Sequence, residues 1–367
     1  MTTSAEASVP TAIGSAAAAN RARHGAPARR LLRLLSVKRD ILLTTHLHPD
    51  PDALASGLAL GRLLQSRLPE SRITLSVKGD IGGGYNIGFL QQTELALAPW
   101  DEQALGRFDA IVLLDVQPLF KLSPLPAGIA PFAVIDHHPS RGRRPACAFC
   151  DIRTDVGATS SIVFSYFMEL GMEIPPDVAA ALLFGIESDV AGAAGQPGDL
   201  DNIALSSLTL LADPRRLYKM RYAPLPRSIY EGFWEGLSNA VYYDSALITH
   251  LDEIHSAEVP AVIADFLVRF DQVQWVLVTA LSGSSLVLSL RNERTKLSAA
   301  DIMRRLVRGI GEGGGHRAKA GGLIALENTS PACVEHIRKR LCQRLLRALK
   351  IPSSRGQRLI AAAYRSK

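Results

Sequence analysis

The sequence predicts an α/β fold. It reads as an N-terminal, parallel, doubly wound (Rossmann-like) sheet domain, a helical connector and a smaller C-terminal α/β domain. Three observations predict this. Short apolar runs at 41–45, 109–114 and 132–135 are too brief for helices and suit strands buried on both faces. Segments of helical period alternate with them, so the strands run parallel with right-handed crossovers. Each run leads within a few residues into carboxylates or histidines, which lines polar chemistry along one edge of the sheet.

The elements follow in order. Residues 1–28 are rich in Ala, Ser and Thr with scattered Arg and no apolar period, which predicts a disordered tail. Residues 29–39 predict a short basic helix, and 41–45 the first strand. A helix over 53–68 takes its apolar face from Leu54, Leu58, Leu60, Leu63 and Leu64. A strand at 72–77 has a period of two. Strands at 109–114 and 132–135 and helices at 158–170 and 178–184 complete the first domain. Helices at 202–211 and 228–241, with Pro214, Pro224 and Pro226 between them, make 191–243 a helical connector. Beyond it come strands at 246–251, 273–281 and 285–290, the last two joined by a hairpin at Ser282, Gly283 and Ser284. A helix at 299–308, a glycine-rich loop, a strand at 322–326 and a basic helix at 333–349 follow.

At 367 residues the chain can bury two cores, and no window approaches the ~18 apolar residues of a membrane span. Its four cysteines include one CxxC, Cys147 and Cys150, with no second pair at zinc-ribbon spacing. They read as reduced thiols in a cytoplasmic protein. The net charge of +6 is uneven. Residues 1–40 carry +5 and 338–367 carry +10, so 41–337 carries −9. The acidic body suits a cluster of metal-binding carboxylates, and the basic ends suit nucleic acid or simple solvation.

The stretch after the first strand concentrates the chemistry. His46, His48, Asp50 and Asp52 fall within seven residues. One Asp is explained as a helix cap, but two carboxylates with imidazoles point to a divalent cation taking mixed oxygen and nitrogen ligands, Mn²⁺ or Mg²⁺. Asp115 ends the next apolar run, and Asp136, His137 and His138 end the one after. Asp189 follows an apolar helix in a Gly185, Ile186, Glu187, Ser188, Asp189 sequence. A carboxylate cluster of this size stays ionised only where cations neutralise it.

These motifs resemble the DHH phosphoesterase superfamily, most closely its nano-RNase/pAp-phosphatase branch. The opening His-x-x-Pro-Asp-x-Asp-Ala motif stands at His46 to Ala53, the second at Asp115, the name motif at Asp136, His137 and His138, and the fourth at Gly185 to Asp189. A Gly-Gly-Gly-His signature at Gly313, Gly314, Gly315 and His316 resembles the DHH-associated domain. The resemblance implies a DHH catalytic domain over 29–190, a DHH-associated substrate domain over 244–350 and a basic tail over 351–367. It implies two Mn²⁺ ions (Mg²⁺ as an alternative). His46, Asp50, Asp115 and Asp189 would hold one; Asp52, His137, Asp115 and Asp189 would hold the other. His138 would touch the scissile phosphate, with Asp136 orienting a histidine. Arg291, Gly313, Gly314, Gly315 and His316 would bind substrate, and Arg294 is a further candidate. Two cations about 3.5–4 Å apart suit attack by an activated hydroxide on a phosphoester. Residues 188–192 lack the Thr-Asp-Thr-Gly-like form common after the fourth motif, and Glu312 replaces a glycine of the longer run.

The implied activity is Mn-dependent hydrolysis of short oligonucleotides (nano-RNA), 3′-phosphoadenosine 5′-phosphate or cyclic-dinucleotide products. The implied partners are a short single-stranded oligonucleotide or small nucleotide and a second copy in a homodimer, with no membrane. A RecJ-like single-strand exonuclease or an exopolyphosphatase is the alternative. A nucleotide-binding regulatory protein would be expected to lack a bridging Asp, and Asp115 and Asp189 are both present. A nucleic-acid-binding module ranks last, because the sequence shows no aromatic–basic interleaving of the kind that stacks bases.

Overall fold

The computed structural model describes residues 25–360 apart from 80, 82–83, 141–144, 191–196, 255–258, 294, 296, 316 and 353–355. The chain divides into two units. The first takes residues up to 223 except two short stretches near 82–84 and 192–194, and the second takes 224 onward. The expected disordered tail lies outside the described residues up to 24, and Pro27 and Ala28 already belong to the first helix.

In the first unit the elements run α1 (Pro27–Leu35), β1 (Asp40–Thr44), α2 (Pro51–Arg67), β2 (Arg72–Leu75), α3 (Gly84–Gln92), β3 (Ala110–Leu114), β4 (Ala133–Asp136), β5 (Phe149–Ile152), α4 (Thr159–Leu170), α5 (Pro176–Val190), α6 (Asp199–Leu211) and α7 (Pro214–Arg221). All five strands are parallel, in the order β2-β1-β3-β4-β5. The α/β class is therefore as the sequence predicts. In this order the topological switch point lies between β1 and β3, where open α/β sheets bind ligands.

Strand alternation separates two layers. Ile41, Leu43, Val112, Leu114, Ala133 and Ile135 face the helices in one large core. Leu42 and Ile111 face Leu105, Trp100 and Phe108, while Leu113 and Val134 face Val116, Phe120 and the cysteines. Those cysteines correct an expectation: Cys147 and Cys150 form a disulfide, not free thiols. Their Cα atoms lie 6.3 Å apart at the start of β5, within bridging range. β5 itself was not evident in the sequence, because its Cys150 and Asp151 break the apolar run.

α5 also runs further than its apolar period suggests, so Asp189 lies on its last turn and does not follow the helix. Gly185 lets α5 cross closely over α2 and α4. A Cβ there would meet Ser160 Oγ at 2.8 Å, Ala55 Cβ at 2.9 Å and the Pro51 carbonyl at 3.1 Å. Gly185→Ala is therefore expected to cost about 1–3 kcal/mol through overpacking. A denaturant midpoint unchanged from wild type would contradict this close crossing.

The second unit contains α8 (Arg227–Asn239), β6 (Val241–Tyr243), β7 (Ala246–Glu253), α9 (Val259–Leu267), β8 (Trp275–Ser282), β9 (Ser285–Asn292), α10 (Ala299–Val307), β10 (Glu312–Gly315), β11 (Lys319–Ala325), α11 (Pro331–Leu349) and β12 (Gln357–Arg358). Its mixed sheet has the order β10-β11-β9-β8-β7-β6-β12, parallel only between β7 and β8. One face packs on α10 and α11 and the other on α8 and α9. The stretch expected as a connector is shared: α6 and α7 pack in the first unit, and α8 packs in the second. The stretch expected as a basic tail returns to the sheet, where β12 pairs with β6. Residues 361–367 lie outside the described residues. No helix among the described residues is long and apolar enough to cross a membrane.

Candidate metal centre

The C-terminal ends of β1, β3 and β4 and the N-terminal end of α2 bring the predicted side chains together in the first unit. His46 follows β1, and its Nδ1–H donates to the Leu47 carbonyl at 2.9 Å. A carbonyl can only accept, so Nε2 is the atom turned to the cluster. Asp50 is the N-cap of α2 and accepts from the Ala53 N–H at 3.0 Å. Asp52, in the first turn of α2, is fully buried. Its two oxygens accept from the N–H groups of Thr159 (2.7 Å) and Ser160 (2.8 Å) at the start of α4. Asp115 ends β3 with φ +61°, a left-handed conformation that Asp tolerates better than most residues. The turn aims its carboxylate back over the strand ends.

The two oxygens of Asp115 face different partners. Oδ2 lies 3.5 Å from His46 Nε2, and Oδ1 lies 3.3 Å from His137 Nε2. His46 Nε2 is also 3.7 Å from Asp50, and His137 Nε2 is 3.5 Å from Asp189. Two donor groups result: His46, Asp50 and Asp115, and Asp52, His137 and Asp189. His138 joins Asp115 and His137 in a third. Among these groupings Asp189 appears with Asp52 and His137 and not with His46.

Electrostatics drives the groups toward a shared cation. Burial pushes up the Asp52 carboxyl, and the charges of Asp115 and Asp50 add to this, to about 7. Burial and the charges of Asp50, Asp52 and Asp115 raise Asp189 well above the carboxylate range. Burial opposes charge on Asp115 as well, yet its contacts with His137 and His46 hold it well below that range. Burial also disfavours charged His46 and His137, but the facing carboxylates raise both well above the ordinary histidine value. Without cations, then, protons do the neutralising: on Asp52 and Asp189 because they are crowded by like charge, and on the histidines because they face carboxylates.

The residues fit divalent metal. Oxygen and imidazole donors suit Mn²⁺ or Mg²⁺. Around an ion with ligands at about 2.1 Å, neighbouring ligand atoms lie about 3 Å apart and opposite ones about 4 Å. The separations of 3.3–3.7 Å between facing donors fall in that interval and exceed ordinary hydrogen bonds.

Asp136 is fully buried and accepts no role in these groups. Its Oδ1 lies 2.8 Å from His138 Nδ1, and its Oδ2 accepts from Gln117 Nε2 at 2.7 Å. Gln117 also donates to the His138 carbonyl at 2.9 Å. The Asp136 carboxylate thus fixes the His138 ring, which lies perpendicular to the Phe120 ring with the centroids 6.0 Å apart. The sequence reading missed Gln117, Thr159 and Ser160. Thr159 holds two carboxylates at once, with its N–H on Asp52 and its hydroxyl donating to Asp115 Oδ1 at 2.8 Å. Its signal, a Thr-Ser-Ser run opening a helix, is indistinguishable from ordinary capping.

Residues 40–186 match the DHH family, N-terminal domain. An uncharacterized protein of Methanocaldococcus jannaschii is 26% identical over 312 residues, 85% of this chain and 63% of its own length. A probable manganese-dependent inorganic pyrophosphatase of Staphylococcus aureus is 29% identical over 152 residues, 39% of this chain and 46% of its own length. The chain thus spans about half to two-thirds of the curated relatives it matches. An exopolyphosphatase-related protein from Bacteroides fragilis shares the fold at a TM-score of 0.69 and 19% identity, covering 88% of this chain and 97% of that one. Asp189 falls just beyond the matched DHH domain, although α5 carries it into the centre.

The substrate-binding residues expected in the second unit fare differently. Arg291 is buried on β9 with its Nε 2.5 Å from Asp265 Oδ1, its Nη2 3.2 Å from Oδ2 and its Nη1 2.9 Å from Ser289 Oγ. Most of its donors therefore already have partners within the protein. The triple glycine forms β10, not a loop. A Cβ at Gly313 would meet Met303 Cγ at 2.7 Å, and one at Gly322, its partner across the ladder, would meet Met303 Sδ at 2.8 Å, so both glycines let the sheet sit on α10. Gly314 faces open space, and Gly315 takes φ +142°. His316 and Arg294 lie outside the described residues.

Proposed function

We propose that the chain is a manganese-dependent phosphoesterase acting on short single-stranded oligonucleotides and on small nucleotides such as 3′-phosphoadenosine 5′-phosphate or cyclic-dinucleotide products. The observation that carries this reading is the Asp115 carboxylate, whose two oxygens address two separate donor groups 3.3–3.5 Å away. One carboxylate shared in this way is what holds two dications close. His46, Asp50 and Asp115 would hold one ion, and Asp52, His137 and Asp189 the other, with Asp115 common to both. Bound there, two divalent cations supply Lewis-acid charge for the phosphoryl oxygens and make water a stronger nucleophile at neutral pH.

The chain's own residues do the rest. Asp136 and Gln117 lock the His138 ring, so its remaining nitrogen can meet a phosphoryl oxygen without reorienting. Thr159 and Ser160 hold the Asp52 and Asp115 carboxylates in register, which keeps the two donor groups at fixed separation. The manganese-dependent pyrophosphatase relative supports the metal, and its likeness covers only 39% of this chain and 46% of its own length, so it does not argue for pyrophosphate as this chain's substrate.

The test is a substrate panel with Mn²⁺ and with EDTA: 3′-phosphoadenosine 5′-phosphate, an RNA dinucleotide, a long single-stranded DNA, a linear and a cyclic dinucleotide, and pyrophosphate. Mn²⁺-dependent loss of the first two, with the long DNA spared, is the expected result. Processive degradation of the DNA would replace this reading with an exonuclease. Hydrolysis confined to pyrophosphate would replace it with a pyrophosphatase.

A further inference from the structure

We propose that one face of α7 is a stacking platform for single-stranded nucleic acid, holding the part of an oligonucleotide that extends beyond the reacting end. The proposal rests on the oligonucleotide reading above and deepens it. Arg215, Tyr218, Lys219 and Tyr222 occupy positions i, i+3, i+4 and i+7, the spacing of a single helical face. Tyr218 and Tyr222 are 63% and 67% exposed, and their rings lie 4.9 Å apart with an interplanar angle of 39°. Two large rings held side by side in water leave apolar area uncovered that a base can cover.

The face is preformed. Leu217 and Met220 bury the opposite side of the helix, and the Met220 carbonyl sits where a Cβ on Gly88 of α3 would be. Arg216 donates to the Gln92 carbonyl at 2.9 Å, and Arg221 pairs with Glu187. Glu187 is two residues before Asp189 on α5, so α7 is tied to the same helix end that carries a donor of the metal centre.

Its charge suits phosphate. The acids beside α7 are already engaged: Asp213 faces Arg216 at 3.6 Å, and Glu187 faces Arg221. Arg215 and Lys219 make no side-chain ion pair within 4 Å among the described residues, which leaves two cations flanking the tyrosines. Aromatic rings between cations are the device by which proteins bind single strands without reading their sequence. The other exposed pair, Tyr230 and Trp234 on α8, lacks this character. The groove beside it is lined by three acids, Glu231, Glu235 and Asp252, against one cation, Arg227, which is itself held by Glu231 at 2.8 Å, so among the described residues no free cation flanks those rings there. The sequence reading found no aromatic–basic interleaving. It missed this one because the pattern occupies only a short helix between Asp213 and Ala223.

The experiment measures fluorescence polarisation of labelled octauridylate and diuridylate with EDTA-treated full-length protein, so that binding is read without turnover. The double variant Tyr218→Ala/Tyr222→Ala is expected to bind the octamer about tenfold more weakly or worse, with the dimer unchanged. Tyr218→Phe/Tyr222→Phe keeps the rings and is expected to bind as wild type does. Arg215→Ser/Lys219→Ser is expected to lower the salt slope of octamer binding by about 1.4. Trp234→Ala is expected to leave binding unchanged. Octamer affinity that survives loss of both tyrosine rings, or that falls equally in Trp234→Ala, overturns the platform. Diuridylate and 3′-phosphoadenosine 5′-phosphate hydrolysis with Mn²⁺ is followed in parallel. Silence there with tyrosine-dependent octamer binding would sink the phosphoesterase reading and leave the platform standing. Normal hydrolysis with tyrosine-independent binding would do the reverse.

Discussion

Asp115→Asn is expected to lose hydrolysis by roughly 10³-fold or more and to lose tight binding of the second Mn²⁺, while the fold persists. Changes to groups that only orient a ligand cost about 10- to 100-fold, and Asp115 is placed to bridge both donor groups. Asn is the informative substitution because the backbone there sits at φ +61°, which Asn accepts and Ala resists. The amide keeps an acceptor for the Thr159 hydroxyl, which now lies 2.8 Å from Oδ1. Removing one charge from among Asp50, Asp52 and Asp189 also relieves repulsion, since Asp115 itself helps raise both Asp52 and Asp189. The facing His46 and His137 nevertheless hold Asp115 itself well below the carboxylate range, so losing its charge removes more than it relieves, and the variant without metal is expected to stay folded but to unfold below the wild-type temperature. Two measurements check this: Mn²⁺ stoichiometry by electron paramagnetic resonance, and turnover on the substrate that the panel identifies. Two tightly bound ions with near-normal turnover would remove Asp115 from its bridging place.

Legibility in the sequence followed the range of the forces involved. β1, β3 and β4 were readable because each is buried on both faces, and a short apolar run is the direct signature of that burial. His46, Asp50, Asp52, Asp115, His137 and Asp189 were readable as candidates because carboxylates and imidazoles at the ends of apolar strands and an apolar helix have few structural uses in such numbers. What could not be read depends on contacts distant in the chain. Thr159 looks like a helix-opening residue until α4 is placed against Asp52 and Asp115, 107 and 44 residues away. The pairing of Arg291 with Asp265 of α9 was likewise invisible, because the two lie 26 residues apart. The glycines of β10 looked like a loop because glycine disfavours strands, yet α10 presses so closely on the sheet that a side chain at Gly313 or Gly322 would collide with Met303. In each case a tertiary neighbour set the role, and local propensity could not report it.

Mn²⁺ is expected to reverse the pH dependence of stability between about pH 5 and pH 8. Asp52 is raised to about 7 in the folded chain, so its contribution is full below the ordinary carboxylate value and is lost as pH rises through 7. Its rise from 3.8 makes that loss on the order of 4 kcal/mol. Asp189 acts in the same direction. His46 and His137, both raised, stabilise fully below the ordinary histidine value and lose that contribution as pH climbs through their folded values. Asp50 and Asp115 are lowered, so their contribution is present above the ordinary carboxylate range and is lost only in stronger acid. In EDTA the centre is thus a growing liability as pH rises past neutrality. Cations replace those protons, so metal binding releases protons and tightens as pH rises. At a free Mn²⁺ concentration 100 times its dissociation constant, the gain is about 2.7 kcal/mol per site. His250 in the second unit is lowered to about 4 by burial and so destabilises the fold as pH falls below the ordinary histidine value. That term is common to both conditions and drops out of their difference. The quantity to measure is therefore the Tm with Mn²⁺ minus the Tm with EDTA across this pH range. It should be near zero at pH 5 and grow steadily to pH 8. Parallel profiles in the two conditions would mean that the protons held at this centre are not the ones a metal displaces.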